Sequence, residues 1–279
     1  MDGWFCTNCK SLNLARSTRC YHCNVPKEHS EAGTAQAAAI WKPTDIPAET
    51  RSTAAAAGLT YESSAPRARL VVPLIAAVMI LSVARFAIGA ATGTPLLLTN
   101  YSGGVTDASL SLETILLMRG IELAVYGVAI LAFIWWLSRV VANTPALGGG
   151  WPPVSPTGAI GWWFVPGANL FQGPRIVADA HERLHVDGRP GTWLVGLWWA
   201  CFLGTYLVER AVTWIVAFFS TEAAEATPLF VIAGTLRELL FLAAGAFAIW
   251  IVYEIEALQE TRSAALEGAP GSLLTASAG

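Results

Sequence analysis

Beyond residue 69 the chain runs through four apolar stretches, at 70–91, 114–137, 192–219 and 228–253, and these restrict its fold more than any other feature. As a helix rising 1.5 Å per residue, each can cross a hydrocarbon core of about 30 Å. Of all residues 54% are hydrophobic and only 13% charged, where a soluble domain carries about 25% charged residues. The expected fold is therefore an all-α polytopic membrane protein with four transmembrane helices. The third stretch is long enough to require a tilt. In the fourth, Ala244, Gly245 and Ala248 permit close helix packing.

Two arguments orient the chain. Four of its five cysteines lie between residues 6 and 23, and zinc-binding thiolates favour a reducing compartment, so the N-terminus is expected in the cytoplasm. With four spans, the connections 92–113 and 220–227 then face outside, and neither contains Lys or Arg. The inside flanks hold Arg67, Arg69, Arg139, Arg175, Arg183, Arg189 and Arg262, as the excess of cytoplasmic positive charge requires. The expected location is the plasma membrane, with both termini cytoplasmic. The first residues lead into cysteines rather than an apolar run, so no cleavable signal peptide is expected.

The segment 150–191 is broken by prolines and glycines. Its apolar part, 159–171, is too short to cross and is interrupted at Pro166. It reads as a re-entrant or interfacial turn, with Trp162 and Trp163 as interface residues. A short amphipathic helix should follow from near Pro174, with Ile176, Val177, Ala180 and Leu184 on its apolar face. The expected organisation is a cysteine module at 1–27, a flexible linker at 28–66, a helical membrane domain at 67–262 and a disordered C-terminal tail at 263–279. Residues 28–66, rich in Ala, Thr, Ser, Glu and Pro, cannot bury enough surface to offset chain entropy.

The cysteine module reads Trp4-x-Cys6-x2-Cys9-x3-Asn13-x6-Cys20-x2-Cys23. Two C-x2-C knuckles at this spacing set four thiolates tetrahedrally about one structural Zn2+, closing a fold too small for a hydrophobic core. The string from Trp4 to Lys27 resembles the Ran-binding-protein-type zinc finger, including its Trp, its Asn and the trailing Asn24-x-Pro26-Lys27. That resemblance implies single-stranded RNA or ubiquitin as ligand. RNA binders of the class stack a base on an aromatic and read guanine edges with paired arginines. Here Leu14 stands at the aromatic position and Ser17 at that of the second arginine. Ubiquitin binders carry Thr-Phe where Lys10-Ser11 stands. The resemblance thus carries over the metal and not the ligand, and the expected partner is an unidentified cytoplasmic protein rather than RNA.

Three stretches of the membrane domain carry a second resemblance. They are FIWWLSRVVANTPALG (133–148), GWWFVPGANLFQGPRIVADA (161–180) and IVYEIEALQE (251–260). They hold Phe133-x-x-Trp136 at a span end, then Trp163-x-x-Pro166-x-x-Asn169-Leu170 with a following proline displaced by one to Pro174, and a closing Gln259. The region from about 70 to 260 resembles an uncharacterised bacterial membrane family, domain of unknown function 4328. That implies a multi-span membrane protein and supplies no activity.

Seven ionisable residues fall inside the spans: Arg85, Arg119, Glu122, Glu209, Arg210, Arg237 and Glu238. By helix rise, all lie roughly 7–15 Å below the outer boundary. Charge at such depth is costly and needs partners or water. Four arginines against three glutamates leave one surplus positive charge. The layer reads as an ion-pair network locking the bundle or as an outward cavity for an anionic ligand or lipid headgroup.

His181-Glu182-Arg183-Leu184-His185 matches H-E-x-x-H, which on a helix sets two imidazoles one turn apart beside a glutamate base. Arg183 is charged where such motifs carry an uncharged residue. A third ligand is also needed. Glu209 lies about 25 Å away along the next span by helix rise, so only Glu254, Glu256 or Glu260 can reach. The segment therefore reads as a solvated interfacial helix, with a membrane zinc metalloprotease as the alternative. The leading expectation is a non-enzymatic membrane protein whose zinc finger recruits or senses a cytoplasmic partner.

Overall fold

The computed structural model describes residues 3–5, 12–14, 60–92, 111–185, 192–219 and 223–267. The ligand set Cys6, Cys9, Cys20 and Cys23 and linker residues 28–59 lie outside the described residues. Strands β1 (Gly3–Phe5) and β2 (Leu12–Leu14) pair antiparallel, with Trp4 opposite Asn13. Helices follow as α1 (Ala65–Thr92), α2 (Leu112–Asn143), α3 (Pro156–Gly161), α4 (Asn169–Leu184), α5 (Thr192–Phe219) and α6 (Ala223–Glu267). Among the described residues, Ala65–Thr92, Glu113–Asn143 and Val231–Ala265 are long and apolar enough to cross a membrane.

Contacts divide the chain into two compact units. One comprises Arg67–Phe133 and Trp193–Tyr253. Many of its exposed side chains are apolar, with Ile80, Leu117, Leu123, Leu207 and Leu239 at least 60% exposed, while Arg85, Arg237 and Glu238 are buried. Water selects the opposite arrangement. A hydrocarbon solvent selects this one, because apolar side chains lose nothing there and charges must find partners inside. Three span-length helices and this inverted surface mark a membrane protein. Ala244 and Ala248 of α6 are buried. Between them Gly245 admits the α1 side chain of Met79, whose Sδ would lie 2.6 Å from a Cβ at that position.

The other unit comprises Met1–Pro66, Ile134–Thr192 and Glu254–Gly279. Within its apolar core, which includes Leu137, Val140, Leu147 and Ile255, lies a polar network. Glu256 Oε1 accepts from Trp136 Nε1 at 2.7 Å and from the Ser64 hydroxyl. Gln259 Nε2 donates to Ser64 Oγ at 2.8 Å, and its Oε1 accepts from Asn143 Nδ2 at 2.8 Å. Asn143 Nδ2 also donates to the Glu62 carbonyl oxygen at 2.8 Å. Trp136, Ser64 and Gln259 are fully buried. Arg262 donates to the carbonyls of Leu147 at 3.0 Å and His185 at 3.1 Å, tying the turn after α2 and the end of α4 to α6.

These bonds account for two departures from expectation. Helix α6 runs on to Glu267, so the tail expected to be disordered from residue 263 begins helical. Gln259 and Arg262 anchor that extension. The linker expected to reach residue 66 is held from Glu62, because Glu62 and Ser64 satisfy buried Asn143, Gln259 and Glu256.

Among the described residues of the 150–191 segment, 150–185, no element reaches spanning length. Ser155 caps α3 by accepting from the Gly158 amide at 3.0 Å, with Pro156 at the first helical position. A 3-10 turn, Trp162–Phe164, follows. Gly167 then takes φ +78°, which a side chain would resist, and reverses the chain after Pro166. Helix α4 starts at Asn169, before the expected Pro174, which lies inside it. Proline there deprives the Leu170 carbonyl of its intrahelical donor, and Leu170 is exposed. The buried face of α4 holds Ile176, Val177, Ala180 and Leu184, as the periodicity predicts, together with Gly173 and His181. A Cβ at Gly173 would sit 2.9 Å from the Trp163 ring, so the indole packs on the helix backbone.

Trp136→Phe withdraws a donor from the buried Glu256 carboxylate. A hydrogen bond to a charged group contributes about 1.5–3 kcal/mol, so the variant should melt at a lower temperature in detergent. An unchanged melting temperature would show that this bond carries no weight.

Candidate functional site

Six ionisable side chains from four helices meet in the unit of Arg67–Phe133 and Trp193–Tyr253. Arg119 Nη1 lies 3.8 Å from Glu122 Oε2, one helical turn away on α2. The same Glu122 oxygen faces Arg85 Nε of α1 at 2.8 Å. Arg85 Nη2 reaches Glu238 Oε2 of α6 at 3.1 Å and donates to Ser82 Oγ at 3.2 Å. Arg237 Nη1 approaches the same Glu238 oxygen at 3.4 Å, and its Nε pairs with Glu209 Oε1 of α5 at 3.1 Å. The result is one alternating series: Arg119, Glu122, Arg85, Glu238, Arg237, Glu209. Arg85 is 2% exposed at its centre. Taking such charges out of water is tolerable only when each meets its opposite at close range.

Arg210 does not join the series. It is exposed, because one residue along a helix turns the side chain by about 100°. The expected surplus positive charge rested on Arg210, and without it three arginines balance three glutamates. Beside the series lies a cavity of about 260 Å3, lined by Arg119, Glu122, Tyr126, Tyr206, Glu209 and Arg237, with apolar neighbours. Tyr126 and Tyr206 escaped the sequence reading, since a tyrosine in an apolar span carries no charge to flag it.

The H-E-x-x-H residues lie in the other unit. His181 is fully buried, which corrects the expected solvated helix, and His185 forms the C-cap of α4. Glu254 Oε1 of α6 lies 3.4 Å from His181 Nε2 and 3.2 Å from His185 Nε2. Of the three glutamates within reach by sequence, Glu254 is the one beside both rings. Glu182 is exposed, and Arg183 pairs with Asp179 at 2.8 Å. Burial holds the His181 imidazole below its ordinary pKa, outweighing the neighbouring Glu254 carboxylate that raises it. His181 is therefore neutral near pH 7.

Residues 103–257 match the family described as Domain of unknown function (DUF4328). The chain belongs to that family. No curated protein and no solved structure matches the chain. The DUF4328 range takes in five of the six paired charges, Trp136, Asn143 and Glu256, and the trio His181, His185 and Glu254.

Removing one partner from a buried ion pair strands the other. In membrane proteins such couplings run to about 2 kcal/mol. Glu122→Gln and Glu238→Gln should each lower the melting temperature, whereas Arg210→Gln should leave it unchanged. Equal effects from all three would refute the ion-paired series.

Proposed function

We propose that this DUF4328 protein is a non-enzymatic, four-span protein of the plasma membrane whose charge-lined cavity binds a zwitterionic headgroup. The observation that carries the reading is the 260 Å3 cavity bordered by two arginines and two glutamates inside an apolar helical unit. Helix α5, 28 residues long, is the fourth span. A balanced set of charges favours a ligand with both a cationic and an anionic end over a simple anion, which the seven-residue count had suggested. The two tyrosines supply hydroxyls beside an apolar wall suited to an acyl chain. The expected outcome in lipid nanodiscs is a higher melting temperature in phosphatidylethanolamine than in phosphatidylglycerol. That difference should vanish in an Arg119→Gln/Glu209→Gln variant. Stronger stabilisation by phosphatidylglycerol would restore the anionic reading; no lipid dependence would remove the cavity from the function.

We further propose that residues 1–27 hold one structural Zn2+ on Cys6, Cys9, Cys20 and Cys23, and that this finger recruits a cytoplasmic protein. The pairing of Gly3–Phe5 with Leu12–Leu14 supports it, because Cys6 and Cys9 lie in sequence between the two paired strands. A knuckle needs its two cysteines close together in space to aim both thiolates at one ion. One labelling experiment tests metal and orientation together. In intact cells a membrane-impermeant maleimide should modify a cysteine placed at Ser102 and spare the four native ones. After permeabilisation the four should react only with a zinc chelator present. Labelling of the four in intact cells would overturn the orientation, and labelling without chelator would overturn the zinc.

A further inference from the structure

We propose that His181, His185 and Glu254 form a second metal site, for a Zn2+-class divalent ion, that fastens the end of α4 to α6. The donor atoms converge. Nε2 of both imidazoles faces the same Glu254 oxygen, at 3.4 Å and 3.2 Å. All three ligand atoms lie within 4.8 Å of one another. Tetrahedral zinc with ligand bonds of about 2.0–2.1 Å sets its donors roughly 3.3–3.4 Å apart. The observed separations to Glu254 already match that spacing.

A second observation points to a ligand independently of the convergence. His181 is fully buried, its Nδ1 has no hydrogen-bond partner among the described residues, and its Nε2 meets only the Glu254 carboxylate at 3.4 Å, too poorly aligned for a hydrogen bond. A buried imidazole left so is disfavoured, and an ion would give Nε2 the strong partner it lacks. The surroundings are built to hold the ligands in place. Leu184, Val177 and Ala180 bury the α4 face that carries His181. Arg262 Nη2 donates to the His185 carbonyl at 3.1 Å, fixing the chain at the second ligand. Two imidazoles and one carboxylate suit a borderline ion such as zinc or cobalt rather than calcium or magnesium. His185 and Glu254 keep 21% and 29% of their side chains accessible, leaving a way in and room for water as the fourth ligand.

The proposal concerns binding and not peptide hydrolysis. A hydrolytic site of this pattern needs the glutamate beside the first histidine to face the metal-bound water. Glu182 is exposed and stands apart from the trio. The site differs from the cysteine finger in ligand chemistry, which allows the two to be read separately. Thiolates give Co2+ intense sulfur-to-metal charge-transfer bands, and an imidazole–carboxylate site does not.

The test uses the full-length chain in detergent with Cys6, Cys9, Cys20 and Cys23 all changed to Ser, dialysed against Co2+ or Zn2+. One ion per chain is expected, with visible d–d absorption for Co2+ and a raised melting temperature. His185→Gln and Glu254→Gln, made separately in that background, should each weaken binding at least tenfold while size-exclusion profiles and helical content stay unchanged. Absence of bound metal in this four-serine chain would overturn the proposal. So would binding that both substitutions leave intact.

Discussion

A guanidinium buried among apolar helices sets the terms for the whole membrane-type unit. Arg85 is 2% exposed and must be neutralised locally, which it achieves with Glu122 on one side and Glu238 on the other. Each of these carboxylates meets a second arginine, and Arg237 in turn meets Glu209. Because the six residues come from α1, α2, α5 and α6, the series fixes the rotation of four helices about their axes at once. Turning any one of them by a single residue would expose a charge to hydrocarbon. Apolar packing alone would not discriminate so sharply, since lipid tails solvate Leu and Ile as well as another helix does.

The other unit solves the burial of polar groups differently. Its network around Glu256 uses neutral donors, with an indole, a hydroxyl and an amide gathered on or near one carboxylate oxygen. Geometry matters more there than charge balance. This is why residues just before α1 and residues near the end of α6 are held: Ser64 accepts from Gln259 and donates to Glu256. The trio of His181, His185 and Glu254 stands apart, because there two imidazoles face one carboxylate oxygen.

Much of the fold was legible because membrane spans and helix faces are local, periodic properties. The apolar stretches at 70–91, 114–137 and 228–253 fall within α1, α2 and α6, and the face of α4 follows its periodicity. Helix ends were less legible. Helix α6 outruns its apolar stretch because Arg262 and Gln259 find partners distant in sequence, and α4 begins before Pro174 because Gly167 supplies the turn. Motif residues gained reasons only in three dimensions: Trp136 and Gln259 belong to one hydrogen-bonded network, while Trp163 needs the bare backbone of Gly173.

For the candidate sites the division is cleaner. Sequence alone determined that charges lie at one depth of several helices, that two histidines stand one turn apart, and that four cysteines have zinc spacing. Depth along a helix is simply residue number multiplied by rise. Which way a side chain faces depends on rotation against neighbours, and only the tertiary structure decided that Arg210 turns outward while Glu209 turns in. The same holds for choosing Glu254 among three glutamates of α6. Contacts between residues far apart in sequence are set by the packing of helices against one another, which no local pattern encodes.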